Sequence, residues 1–143
     1  MKQFTEQFDA FLQVLAALDA YEVEYILVGG VAVIFHGMER LTRDIDVFVK
    51  PVPDNIARLR KALYSIFEDP AIEEITSQEL QAYPVIRYGT PNDFYIDIMT
   101  QLGQAITYDD LEHEIIEYQG IPIRIATPKT LYDLKNSMFR VFV

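Results

Sequence analysis

Two aspartates, Asp44 and Asp46, flank a single isoleucine at the head of the apolar run Val47-Phe48-Val49. Placing carboxylates in a Val/Ile/Phe-rich strand costs several kcal/mol unless a cation or hydrogen bonds compensate. Side chains alternate along a strand, so positions i and i+2 share a face. Asp44 and Asp46 therefore point together, while Ile45, Val47 and Val49 are left for a core. A divalent cation held by the pair is the economical explanation, against a solvated strand end with Arg43 as local partner. Hard ions of the Mg²⁺ or Mn²⁺ type prefer such oxygen ligands. Upstream, Tyr25-Ile26-Leu27-Val28 ends in the pair Gly29-Gly30. Glycines at a strand-to-helix turn let the backbone approach closely, and the N–H groups of a helix start suit a phosphate. A plain turn is the competing reading, and phosphate binding needs the same turn.

The elements that must position these residues follow from pattern. Phe4, Phe8, Phe11, Leu12, Leu15 and Leu18 recur at helical spacing, which predicts a helix over 3–20. A strand at 24–28, a short helix at 30–37 and a strand at 44–50 follow. Pro51 and Pro53 end that strand before a helix at 54–67. Thr76 and Glu79 have capping-box spacing for a short helical turn. Strands at 84–89 and 94–99 flank the turn-forming Gly89–Asn92 segment. A helical turn at 108–111 precedes strands at 114–118 and 121–126, which meet at Gln119-Gly120. Thr127 and Pro128 read as the cap and first position of a last helix. The expected fold is α+β, a mixed sheet with helices packed mainly on one side, in a single domain spanning 1–143.

A third carboxylate, Asp97, lies in Phe94–Met99. It shares a strand face with Tyr95 and Met99, opposite Phe94, Ile96 and Ile98. An isolated aspartate in such a strand asks for a partner, either a metal or an arginine such as Arg87. On the last helix Leu131, Leu134, Met138 and Phe142 form an apolar stripe. Lys135 falls within its arc, to snorkel outward or reach an anion, whereas Lys129 falls opposite the stripe. His36 reads as a structural hydrogen-bonder rather than a ligand; Tyr83, Tyr88 and Tyr95 could stack on a base, but strand aromatics are usually core.

The order Gly29-Gly30, His36-Gly37, Arg40-x-Thr42-x-Asp44-Ile45-Asp46, then Asp97, the Gly120 hairpin and Thr127-Pro128-x-x-Leu131 leading to Lys135, resembles the nucleotidyltransferases of the DNA polymerase β superfamily. Within it the chain is most similar to the small AbiEii-type branch, which includes toxin components of toxin–antitoxin pairs. The likeness runs from about residue 10 to 138. It implies metal-dependent transfer of a nucleoside monophosphate from an NTP to a hydroxyl of RNA (a tRNA 3′ end, for example) or protein. Asp44, Asp46 and Asp97 would then be catalytic metal ligands for Mg²⁺ or Mn²⁺. Gly29, Gly30, Arg40, Thr42 and Lys135 would bind the nucleotide. Relatives of this type usually continue beyond the lysine helix, whereas this chain stops at Phe139–Val143. The three apolar residues at its end, Val141–Val143, either dock on the core or a partner, or a C-terminal portion that closes the site is missing.

Bulk properties bound the alternatives. The chain has 143 residues, half of them apolar, enough for one core. No cysteine is present, which excludes disulfides and zinc–thiolate sites. No apolar run approaches the ~20 residues that span a bilayer, so the expected setting is cytoplasmic with no membrane partner. The net charge of −10 repels nucleic acid except through a locally basic patch. An RNA acceptor must therefore be met locally or presented by a basic partner. The other classes in play are an NTP·Mg-binding module without turnover and a partner-binding module neutralised by an antitoxin or another protein.

Overall fold

The computed structural model describes residues 2–37, 42–102 and 106–142. Helix α1 (Lys2–Ala20) leads into β1 (Tyr25–Val28), α2 (Gly29–Phe35), β2 (Asp44–Val49) and α3 (Pro53–Phe67). A 3₁₀ turn (Pro70–Glu74) and α4 (Ser77–Ala82) precede β3 (Val85–Gly89) and β4 (Tyr95–Met99). The two-residue strands β5 (Gln101–Leu102) and β6 (Ile106–Thr107) pair with each other. After a 3₁₀ turn (Tyr108–Asp110) come β7 (His113–Tyr118), β8 (Ile121–Ala126) and α5 (Pro128–Phe142). The pair β5–β6 and the turn at 70–74 have no counterpart in the expected pattern, since strands of two residues are too short to show a period.

Six strands form one mixed sheet in the order β3-β4-β2-β1-β8-β7. β2 runs parallel to β4 and β1 parallel to β8, and the other neighbours are antiparallel. The expected alternation decides the layers. Ile45, Val47 and Val49 of β2 join Tyr25, Leu27, Ile96, Ile98, Ile123 and Ile125 in the main core with α1 and α3. Phe48 faces the other way, into a smaller cluster with Ile26, Val28, Leu111, Ala126 and Leu134 of α5. Most helical cover is thus on one face, and α5 lies on the other. Among the described residues no helix is long and apolar enough to cross a membrane.

Asn55 holds the central register. It is fully buried, and its Nδ2 donates to the carbonyls of Glu24 and Lys50, each at 2.9 Å. Its Oδ1 accepts from the Glu24 N–H at 2.7 Å. One side chain of α3 therefore ties the entry of β1 to the exit of β2, fixing the antiparallel register that sets Val28 opposite Asp46. The expected caps form: Thr76 Oγ1 accepts from the Glu79 N–H, and Thr127 Oγ1 from the Thr130 N–H.

The expectation of core tyrosines holds for Tyr88 alone. Tyr83 is 62% exposed and Tyr95 43% exposed. Tyr83 precedes the edge strand β3, and Tyr95 sits on the sheet face away from the main core, so neither has an apolar layer above it.

Candidate active site

Strand parity and strand order together build the site. Asp44 and Asp46 share the β2 face with Phe48, away from the main core. The parallel neighbour β4 sets Asp97 directly beside Asp46 and Tyr95 beside Asp44. Three carboxylates thus meet on one sheet face, across two adjacent strands.

Burial raises the Asp46 pKa well above the usual carboxylate range, reinforced by hydrogen bonding to Asp97 and by the charges of Asp97 and Asp44. Arg87 pulls in the opposite direction. This arginine projects from β3, where it pairs in register with Asp97. Its Nε donates to Asp97 Oδ1 at 3.0 Å, and Nη2 to Asp97 Oδ2 at 3.3 Å and Asp44 Oδ2 at 2.7 Å. The guanidinium also lies over the Tyr95 ring, 4.6 Å from its centroid. Of the two partners considered for Asp97, a metal or an arginine, the arginine is the one in contact with it, and it reaches a second aspartate as well. Arg87 belongs to the site, although the sequence reading named it only as an alternative partner of Asp97.

Gly29 opens α2 with φ +72°, a left-handed conformation that favours glycine. A Cβ added there would lie 2.8 Å from Asp46 Cγ and 3.0 Å from its Cβ, and closer still to Oδ2. Asp46 can occupy its position only because residue 29 lacks a side chain. Gly30 is buried beside it. The α2 start has no side-chain cap and no acidic residue in its first turn. Thr42 holds the approach to β2: its hydroxyl donates to the Asp44 carbonyl at 3.1 Å and accepts from the Asp44 N–H at 3.3 Å. Arg40 lies outside the described residues. Lys135 is exposed on α5, one residue from the buried Leu134, and has no ion pair among the described residues. The stripe positions Met138 and Phe142 lie outside the described side chains. His36 donates from Nε2 to the Ala126 carbonyl at 2.9 Å, the structural role its sequence context implies.

A cleft of about 630 Å³ runs between residues 71–79 and β3. It touches the carboxylate group only through Arg87, and Glu74 and Glu79 line its far side. The three carboxylates therefore lie beside the cleft, not inside it.

The donor set suits a hard divalent cation: carboxylate oxygens in excess over the single guanidinium that accompanies them. Among the described residues no three carboxylate or imidazole groups form a ready-made cage, and Arg87 bridges Asp44 and Asp97.

The fold matches that of a candidate nucleotidyltransferase (TM1012) of Thermotoga maritima, with a TM-score of 0.64 at 12% identity, over 96% of this chain and 88% of that chain. It also matches two Helicobacter pylori structures, JHP933 and a candidate nucleotidyltransferase, each with a TM-score of 0.50, 16% identity and 94% of this chain covered. The chain spans only 56% and 58% of the lengths of those two proteins. No curated protein sequence matches it. The model of the nucleotidyl transferase AbiEii toxin family, of type IV toxin–antitoxin systems, matches residues 10–131. With the family model matching most of the chain, this protein belongs to the AbiEii nucleotidyltransferase toxin family.

Proposed function

We propose that the chain transfers a nucleoside monophosphate from an NTP to a hydroxyl of RNA or protein, as the toxin half of a system with an antitoxin partner. The observation that carries this reading is the convergence of Asp44, Asp46 and Asp97 across the parallel β2–β4 pair. In the reaction the acceptor oxygen attacks the α-phosphorus. A new P–O ester forms, the α–β anhydride bond breaks and pyrophosphate leaves, with the hydroxyl proton passing to solvent. Asp44, Asp46 and Asp97 would hold Mg²⁺ or Mn²⁺, which supplies neutralisation of the triphosphate and a lowered pKa at the attacking hydroxyl. Gly29 and Gly30 open a cap-free helix start beside the carboxylates, where a phosphate can approach. Thr42 orients Asp44 through its backbone. Lys135, and Arg40 from the segment before β2, would offset charge developing on the phosphates.

The direct test is incubation of the protein with each labelled NTP, Mg²⁺ and total cellular RNA or protein. The expected result is label on one acceptor class, lost in EDTA. Asp97→Asn keeps the shape and removes the charge. It should leave NTP·Mg²⁺ affinity near wild type and lower transfer by about a hundredfold, the scale of one lost transition-state interaction. Wild-type transfer by Asp97→Asn would make Asp97 a structural strand residue. Nucleotide binding with no transfer to any acceptor would select the module without turnover.

A further inference from the structure

Arg87 is the described cation that contacts the acidic face, and all its directed bonds are committed there. Nε and Nη2 between them hold both oxygens of Asp97 and one of Asp44. The Asp97 side chain is only 13% exposed and that of Asp44 32%, whereas Arg87 is 53% exposed. The two anions are thus partly withdrawn from water while the cation covering them remains open to it. A bidentate, charge-assisted arrangement of this kind is stronger than an ordinary surface pair. The Tyr95 ring adds a platform under the guanidinium.

A divalent ion seeking Asp44 and Asp97 meets those same oxygens already engaged, with a positive charge in their midst. Binding of the bare ion therefore requires Arg87 to leave two carboxylates and return to water. A nucleoside triphosphate changes that balance, because its phosphates offer the guanidinium another planar array of anionic oxygens. The open side of Arg87, along the β3 cleft, leaves the side chain room to turn.

We infer that Arg87 is the internal counter-ion of Asp44 and Asp97 and makes divalent-cation binding conditional on nucleotide, moving from the two carboxylates to the polyphosphate as the ion enters. The inference rests on the metal-dependent reading proposed above. It names Arg87 as a positioning and selectivity residue: bare ions are held off, and ion and nucleotide bind as a coupled pair. By linkage, the coupling acts equally on both ligands.

The experiment is a Mn²⁺ titration, followed by the paramagnetic signal of the free ion, with and without an α,β-methylene NTP analogue. Wild type is compared with Arg87→Gln and with Arg58→Gln, which removes the same charge from α3. Wild type and Arg58→Gln should bind Mn²⁺ weakly alone and more tightly with the analogue. Arg87→Gln should bind Mn²⁺ alone about tenfold tighter, the scale of removing one strong charge-assisted pair, and the gain from nucleotide should shrink. Independently of any variant, the Arg87 Nε–H resonance in the wild-type protein should shift when Mg²⁺ and analogue are added together. Equal Mn²⁺ affinity in wild type and Arg87→Gln, or an Arg87 resonance that stays put in the ternary mixture, overturns the role of Arg87 alone. No Mn²⁺ binding by any protein, with or without analogue, overturns both this inference and the metal-dependent reading beneath it.

Discussion

Replacing Gly29 with alanine isolates the contact on which the carboxylate cluster depends. Two costs arise. An L-residue at φ +72° loses about 1–2 kcal/mol to the left-handed backbone. The new Cβ would also press on Asp46, at 2.8 Å from Cγ and 3.0 Å from Cβ. Rotating the carboxylate away cannot relieve this fully, because Asp46 Cβ is fixed to the β2 backbone. Overpacking of this kind typically costs about 1–3 kcal/mol. The sum is about 2–5 kcal/mol, a large share of the ~5–15 kcal/mol that holds a domain together. For a chain of this size it should lower Tm by roughly 5–15 °C. Gly120→Ala is the control: φ is +80° but nothing lies within 4 Å of an added Cβ, so only the backbone cost applies. Any gain from a stiffer unfolded chain is common to both substitutions and cancels. Thermal unfolding followed by circular dichroism, repeated with Gly29→Ala in an Asp46→Ala background, completes the comparison. The excess cost at residue 29 should fall once Cγ and Oδ2 are gone. If Gly29→Ala costs no more than Gly120→Ala, or its cost ignores Asp46, the close approach is not what residue 29 provides.

Two further outcomes follow from the same geometry. Lys135→Ala should weaken NTP binding or slow transfer with the fold intact, whereas Lys129→Ala should do neither; equal effects on nucleotide titration and label transfer would place the wrong face of α5 at the site. Asp69 accepts from the Tyr88 hydroxyl at 2.7 Å and from the Ala71 N–H, which lowers its pKa below the usual carboxylate value. A depressed folded-state pKa means its stabilisation is present above the unfolded value of about 3.8 and is lost as pH falls through the lower folded value. The urea midpoint of wild type should therefore exceed that of Asp69→Asn at neutral pH, with the gap closing only below pH ~4; a gap independent of pH would mean the ionised carboxylate contributes nothing.

How much of this site could be read from the chain depends on the range of the interaction. Parity is local, so the shared face of Asp44 and Asp46, and of Asp97 with Tyr95, follows from period two alone. The caps at Thr76 and Thr127 and the turn at Gln119-Gly120 are equally local. That β2 and β4 lie side by side is not local: β3 comes between them in sequence, and no periodicity states which strands become neighbours. The tyrosines show the same limit, because strand propensity describes a pleated surface without saying whether a layer will cover it.

Arg87 marks the boundary between the two kinds of information. Its pairing with Asp97 follows from hairpin arithmetic, since the turn after Gly89 pairs it with Tyr95, Tyr88 with Ile96 and Arg87 with Asp97. With alternation, that register alone puts guanidinium and carboxylate on one face of the hairpin. The bond to Asp44 needs the parallel β2–β4 contact as well, and it changes what the residue is. An arginine opposite one aspartate neutralises a strand; an arginine bridging two carboxylates, with a third beside them, contests the place where a cation would bind. The bridge therefore belongs to the tertiary register, which is why the sequence could offer Arg87 as a partner of Asp97 but not as a link between two carboxylates.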